Sequence, residues 1–476
     1  MQLTRRQRRR LRRTLLASTC ALLGSTPAMA DSGDWSIDTG VLFYSEVDRV
    51  KATEPAAIIK RDLGDDSYLS ARLVTDTLSG ATPTGAMPGS QSVTVTGPSG
   101  SASTTTAPGA TPLDPNFKDF RKAISVTWSQ PLAQLWRLDL GGNYSIEHDF
   151  KSEGVNALLS RDFNERNTTL SFGLSDEWDL VFPIGGIHAP LSTVAQTTAV
   201  SPPSGDGSEP PEGPQGNALL AAGAQAEAEG GDGSGGGGGG STNPPIAANR
   251  TKQVHDALFG LTQVMTRDWI TVLNFSYSRS EGYQNDPYKM VSILNTHLGG
   301  AGLIPIIGGP ALGEPLSNIY ENRPNLHTKR AVYWGNKVYL DGSVVDFSYR
   351  YGWDDWGIRS NTYELRYRIP FGDDFYVMPH LRYYHQSAAD FYQRALLDTD
   401  VVPQFVSADY RLAEFNARTV GIEVGGQTSG GTHVSVRFER YIQSGRVDPR
   451  VQIGIQQGYD LFPELKANIV QVSLSF

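Results

Sequence analysis

The feature that most constrains this chain is the rhythm of its connections. Segments alternating between apolar and polar side chains can be read at 35–45, 50–61, 66–78, 119–130, 134–148, 154–163, 166–176 and 252–264. They continue at 269–283, 327–338, 343–352, 358–370, 374–387, 409–425, 432–444 and 465–476. Every second connection is short: "LGDD", "PLAQ", "NE", "TRDW", "LDGS", "FGD" and "QTSGGT". The connections between those include the long stretches 79–118, 177–251, 284–326, 388–408 and 445–464. A soluble sandwich has no reason to sort its loops by parity. A sheet closed in an outer membrane does, because tight periplasmic turns alternate with long external loops. The pattern predicts an all-β, antiparallel transmembrane β-barrel of about 16 strands, with about 14 as the alternative count.

Alternation alone would also fit a sandwich with one solvated face. "TYELRYRIPF" sets Tyr363, Leu365, Tyr367, Ile369 and Phe371 against Glu364, Arg366 and Arg368. The segment "NIVQVSLSF" places Val470, Val472, Leu474 and Phe476 on one face and Gln471, Ser473 and Ser475 on the other. Chain ends of soluble domains usually fray into polar tails. We read this segment as the closing strand of the barrel and as its signature for the barrel-assembly machinery. Trp35, Trp128, Trp136, Trp269, Phe371, Phe375 and Phe476 fall at strand ends on the periplasmic side, where an interfacial girdle belongs.

The start of the chain points to export. Residues 5–13 carry seven arginines and no acid, "TLLASTCALLG" follows, and Ala28 and Ala30 are spaced for cleavage before Asp31. The expected organisation is a signal peptide over 1–30 and a barrel over 31–476, with low-complexity external loops at about 79–118 and 177–251. Cys20 would leave with the signal, so the mature chain would hold no disulfide or thiol nucleophile. Removing seven of 41 basic residues and none of 50 acids leaves 34 minus 50, or −16. That balance excludes nucleic acid as a partner. No run of 18 apolar residues follows the leader, so the chain has no segment fit to span a bilayer as a helix.

Several blocks carry a family likeness: "YSEVDRVKATEP", "LVTDTLSGATPTGA", "RNTTLSFGLS", "NDPYK", "ENRP", "DDWGIRSNTYELRYR", "SAADFYQ" and "SADYRL". Over nearly the whole mature chain the sequence resembles a bacterial family of outer-membrane barrels, domain of unknown function 3570. The low-complexity loops are the main departures. The resemblance implies a barrel and supplies no catalytic residue. It also implies a setting near an exported flavin-transferase and small lipoproteins, hence periplasmic redox or lipoprotein partners.

Charge on the polar faces is the informative internal feature. In the predicted register Arg72, Asp76, Arg121, Arg137, Asp139 and Glu147 point into the lumen, as do Asp346, Arg350, Glu364, Arg366, Arg368, Arg382, Arg437 and Glu439. Charges facing lipid near the midplane cost about 2–4 kcal/mol each, so these must meet water or one another. Either a solvated pore or a cross-strand ion-pair lattice satisfies them. "RYR" and "HLRYY" gather Arg366, Arg368 and Arg382, which could select anions.

At the external rim, "WDDWG" places Asp354 and Asp355 in a short loop, and His385 ends a neighbouring strand. Two carboxylates and a histidine could activate water, although acids in a tight loop more often bond its backbone. No zinc-type histidine pairing and no calcium-loop spacing is present. The expected role is therefore a channel for small solutes or the barrel of an envelope complex in outer-membrane lipid, with no enzyme activity and no cofactor. A surface hydrolase and a non-conducting scaffold for a flavin-linked redox partner are the alternatives.

Overall fold

The computed structural model describes residues 35–47, 49–90, 93–95, 104–194, 245–297, 310–372 and 374–476. The expected signal peptide with its cysteine, and most of the low-complexity stretch 197–249, lie outside the described residues. In chain order the first strands are β1 (Trp35–Glu46), β2 (Lys51–Gly64), β3 (Ser67–Pro83), β4 (Val93–Val95), β5 (Thr104–Thr106), β6 (Leu113–Ala133) and β7 (Trp136–Ile146). Then come β8 (Phe150–Phe163), β9 (Thr168–Val181), β10 (Arg250–Thr266), β11 (Trp269–Gly282), β12 (Met290–Leu294), β13 (Pro315–Tyr320) and β14 (Leu326–Leu340). The last are β15 (Ser343–Asp354), β16 (Arg359–Phe371), β17 (Phe375–Gln386), β18 (Leu396–Leu397), β19 (Phe415–Gln427), β20 (His433–Gly445) and β21 (Leu465–Ser475).

With β4, β5, β12, β13 and β18 set aside, the other sixteen strands pair in sequence order into one closed antiparallel barrel. The ring closes between β1 and β21, where the Ile37 amide donates to the Phe476 carbonyl at 3.3 Å and the Phe476 amide to the Ile37 carbonyl at 2.9 Å. A closed ladder leaves no bare sheet edge, which is the condition for strands to cross hydrocarbon.

The short connections all gather at one end, which we call the turn end. Asp341 and Gly342 take φ of 42° and 94°, and Asp65 and Asp66 take 52° and 63°. Two left-handed residues in a row give the turn whose twist matches that of the flanking strands, and Asp-Gly is a strong sequence signal for it.

Paired residues share a face of the wall, so the register separates outside from inside. Phe43, Ile124, Leu140, Leu174, Phe259, Leu273, Leu365, Val424 and Phe438 are exposed on the outer face. At the turn end, Trp35, Trp128, Phe371, Phe375 and Phe476 are also exposed. The Arg61 guanidinium lies 5.1 Å from the Trp35 ring and that of Arg161 lies 4.9 Å from Trp136. Cations on aromatic rings at the edge of an apolar belt suit the headgroup layer.

The buried apolar core lies beyond the other, loop end of the wall. The described parts of the loops at 84–90, 107–112, 182–194, 245–249, 283–297, 310–325, 387–414 and 446–464 build a cap there, with a small sheet in the order β13-β12-β18. One cluster joins Met87, Leu294, Ala395, Val451 and Leu461, and another joins Val291, Ile319, Leu396, Val406 and Ala408. Sixteen strands about 4.8 Å apart and tilted about 40° make a ring roughly 30 Å across. The loops in contact spring from distant points on that ring. The Met87 amide, just past β3, donates to Ser292 Oγ at 2.8 Å, and Gln456 Nε2, between β20 and β21, donates to the Pro88 carbonyl at 2.7 Å. Six strands separate β3 from β14 around the wall. Contacts between segments so rooted have to cross the mouth, and the cap therefore bridges it.

Candidate functional site

Two constellations of charge stand out, one in the lumen and one in the cap. In the lumen the wall is uneven. Strands β7 to β11 line it with small polar side chains, among them Asn143, Asn156, Ser171, Ser175 and Ser276, together with Leu158 and Leu258 and the charges of Arg137, Asp139, Glu177, Asp256 and the Lys252–Asp179 pair at 2.8 Å. Strands β15 to β20 line it with charge. Arg366 pairs with Glu364 at 2.7 Å, His380 reaches Glu364 at 3.2 Å and Glu439 at 2.8 Å, and Arg437 lies 3.5 Å from Glu439. His380 on β17 meets Glu439 on β20 across the strand between them because that strand carries Gly421. A Cβ there would sit 2.6 Å from Glu439 Cγ and 2.9 Å from the Phe438 carbonyl oxygen. Only a residue without a side chain admits the bridge.

The other lumen charges are distributed around this lattice. Arg121 Nε donates to Asp76 at 2.5 Å, and Arg72 faces inward opposite Ser125. Arg137 donates to Ser129 at 2.8 Å and to the Asp66 carbonyl at 2.9 Å, while Asp139 sits opposite Leu158 on the same face. Asp346 lies 3.5 Å from Lys337, and the Arg368 guanidinium stacks 3.9 Å from the Tyr376 ring. Arg350 and Arg382 flank β16 from β15 and β17, and among the described residues neither has a carboxylate at ion-pair distance. Glu147 lies in the connection after β7. Burial first, and then the neighbouring Asp119, push its carboxyl up to about 7. The closing strand turns Val470, Val472 and Leu474 outward with their β20 neighbours Phe438, Val436 and Val434.

The rim acids and histidine do not form a joint site. Asp354 accepts from the backbone amides of Trp356 at 3.1 Å and Ile358 at 2.8 Å, and from His327 at 2.8 Å. Asp355 accepts from the Thr328 amide at 2.8 Å. His385 pairs with Asn361 and Asn416 on the outer face, the opposite side of the wall from Asp354. The acids shape the turn, and His327 stacks 3.7 Å from buried Trp356 to pin it.

The cap holds a cluster that sequence reasoning did not assemble. Asp286 and Lys289 come from "NDPYK", Glu321 and Arg323 from "ENRP", and Asp409 and Arg411 from "SADYRL". Arg323 bonds Glu321 at 2.7 Å and Asp409 at 2.9 Å, and Arg411 bonds Asp409 at 2.5 Å and Asp286 at 2.7 Å. The Asp286 amide donates to Glu321 at 2.6 Å, Ser407 donates to Glu321 at 2.5 Å, and Lys289 donates to the Pro83 carbonyl at 2.5 Å. Burial works against the charge of Asp409, but Arg411, Lys289 and Arg323 outweigh it and hold that carboxyl well below the usual range. Asp286 is lowered in the same way, burial being outweighed by Lys289 and Arg411. For Glu321 burial wins, and its pKa rises. Nearby, buried Arg394 donates to the carbonyls of Leu461 at 3.1 Å and Gly85 at 2.5 Å, joining two more loops. Blocks that carry the family likeness thus meet in one buried network. The signal in the sequence was that acids and bases sit together in otherwise loop-like blocks.

Among the described residues no group of three or more histidine, cysteine, aspartate or glutamate side chains could hold a metal ion.

Comparison with solved structures returns barrels of low likeness. The siderophore receptor PirA from Pseudomonas aeruginosa matches at 7% identity and a TM-score of 0.36, over 87% of this chain and 57% of that one. The ferric enterobactin receptor PfeA of the same organism, in complex with BCV-L6, matches at 10% and 0.39, over 87% and 55%. CdiB from Acinetobacter baumannii matches at 11% and 0.35, over 94% and 60%. The chain spans between half and two thirds of the length of these proteins. A comparison with functionally curated proteins finds none similar in sequence. A family model described as "Protein of unknown function (DUF3570)" matches residues 12–476, and the chain belongs to that family.

Proposed function

We propose that the protein is an outer-membrane channel for small anionic solutes, with its external mouth bridged by the cap. The observation that carries the reading is the lumen. A ring of this strand number is wide enough for water, as in porins of the same size class. Its interior is mostly polar, and Arg350 and Arg382 offer exposed guanidinium groups beside the ion-pair lattice. The exposed apolar belt and its aromatic band fit a bilayer, and the long loops then lie outside the cell. The buried ion network makes the cap a structured cover, so passage goes through or past it.

Planar-bilayer recording tests this directly. The purified chain should carry a steady current with anion preference, and Asp409→Asn, which leaves Arg323 and Arg411 poorly paired, should enlarge it. Arg350→Gln combined with Arg382→Gln should weaken the preference and leave the current. If neither wild type nor the Asp409→Asn chain conducts, the reading fails and the barrel serves as a scaffold.

A further inference from the structure

The lumen charges are sorted by side of the ring. Toward the loop end, the inward acids on β1 to β10 outnumber the inward bases. Two cations there are committed to acids: Arg121 donates to Asp76 at 2.5 Å, and Lys252 bonds Asp179 at 2.8 Å. That pairing is incomplete, since one carboxylate oxygen of Asp76 and one of Asp179 are buried without a donor among the described residues. Glu54, Glu177 and Asp256 share this side, and among the described residues none has a cation at ion-pair distance. Hydroxyls of Ser152 and Ser175 donate to the last two at 2.8 and 3.2 Å. Arg250, at the rim of β10, adds one cation without a carboxylate of its own. Across the lumen the balance is reversed. Lys329, Arg350 and Arg382 point inward from β14, β15 and β17, all exposed and with no carboxylate at ion-pair distance among the described residues. The acids near them are occupied: Asp354 accepts from His327 and from its own turn, and Glu364 pairs with Arg366 and His380.

Strand order makes the two sides opposites. In a ring of sixteen, strands eight places apart face each other. Glu54 on β2 stands opposite Lys329 on β14, and Asp76 on β3 stands opposite Arg350 on β15. The carboxyl of Glu147, above β7 and beside Asp119, stands opposite Arg382 on β17. A field therefore crosses the lumen below the cap, and walls of low dielectric concentrate it. The ring is roughly 30 Å across, and side chains from both walls reduce the open width to about 15 Å. A solute with opposite charges about 6 Å apart then lies within about 5 Å of both walls, and Coulomb attraction screened by salt favours each end about threefold. A solute with only an anionic group uses one wall, and a neutral solute uses neither.

We propose that the solute of this channel is dipolar, an amino acid or short peptide that carries an ammonium as well as its carboxylate. The carboxylate passes along Arg350 and Arg382, where guanidinium groups match its two oxygens. The ammonium passes along Glu54, Glu177 and Asp256. The inference deepens the channel reading and rests on it, since it names the solute that both walls recognise together.

The test uses the full chain in liposomes that swell as solute enters, at low ionic strength. Wild type should admit γ-aminobutyrate about threefold faster than neutral 4-hydroxybutanamide of the same length. Arg350→Gln with Arg382→Gln should bring that ratio toward one, and so should Glu54→Gln with Glu177→Gln. The two double variants should move the reversal potential in a potassium chloride gradient in opposite directions. Arg279→Gln, whose outward guanidinium bonds Glu281 at 2.6 Å, should change neither quantity. Raising the salt to about 1 M should erase the wild-type preference. Heat-modifiable migration on gels checks that each variant remains a folded barrel. Equal entry of the two solutes through wild type would overturn the proposal. So would a preference that survives loss of the acidic side, which would assign the lumen to plain anions. If no solute enters through wild type or through Asp409→Asn, the channel reading itself falls and takes this inference with it.

Discussion

The wall and the cap of this protein are made from the same chain by opposite rules. In the wall, large apolar side chains such as Phe259, Phe438 and Leu365 face outward, and charge is turned inward. In the cap, apolar residues such as Leu294, Val406 and Met87 are fully enclosed in the ordinary manner, and charge is enclosed with them. The wall's ion pairs range from half-open ones such as Arg366–Glu364, each 24% exposed, to the enclosed His380–Glu439 pair at 8% each. The cap's network is buried at its centre, with the Asp409 carboxylate at 0% exposure and that of Glu321 at 1%, while Arg411 at its edge is 58% exposed. Solvated pairs add little to stability, whereas breaking one member of a buried network is costly. The two regions should therefore respond very differently to equivalent changes.

The largest effect expected is in the cap. Asp409→Ala leaves two guanidinium groups short of a partner and should destabilise the cap by about 3–5 kcal/mol. Hydrogen exchange should speed up in 283–325 and 387–414, with exchange in the barrel strands unchanged. Acid should loosen the same contacts. Asp286 and Asp409 have folded pKa values below their unfolded ones, so their contribution is present above the ordinary carboxylate range and is lost as pH falls through the lowered values. Glu321, raised by burial, works in the opposite sense and favours the folded cap as acid neutralises it. The net expectation is a cap intact from neutral pH to about 4, opening only below that, as read by conductance or exchange against pH.

In the wall, a charge on the lipid side comes next. Leu273→Lys should cost about 2–4 kcal/mol in folding into bilayers if it lies near the midplane, whereas a lysine replacing lumen-facing Ser276 should be tolerated. Gly421→Ala should cost about 1–3 kcal/mol, because the added methyl meets the Phe438 carbonyl and Glu439. The smallest change is Arg366→Gln. In a water-filled lumen it should shift stability by no more than about 1 kcal/mol while altering ion preference. A cost as large as that of Asp409→Ala would mean the lumen is dry and would erase the contrast between the regions.

How legible each region was in the sequence follows from the range of its contacts. The wall is written in local alternation. "TYELRYRIPF" declares its two faces without reference to any other segment, and "LDGS" declares its turn, so the strand number and the closed antiparallel barrel could be read. The cap is written in contacts between distant residues. Lys289 finds the Pro83 carbonyl 206 positions away, and Arg394 finds the Gly85 carbonyl 309 positions away. No periodicity announces such meetings. Strands β12, β13 and β18 are too short for alternation to identify, and they form because the loops around them are already packed. Asp354 and Asp355 show the same limit on a smaller scale. Paired acids near a histidine read as chemistry or as a turn, and only their backbone partners distinguish the two.

The most direct test is the state of the folded chain once surfactant is withdrawn. The account predicts that sedimentation in detergent shows a discrete particle, and that dialysis into plain buffer drives it into aggregates that vesicles, but not salt, prevent. A stable monomer persisting in plain buffer would mean the outward apolar belt needs no hydrocarbon, and the assignment of wall, lumen and cap to a membrane barrel would be contradicted.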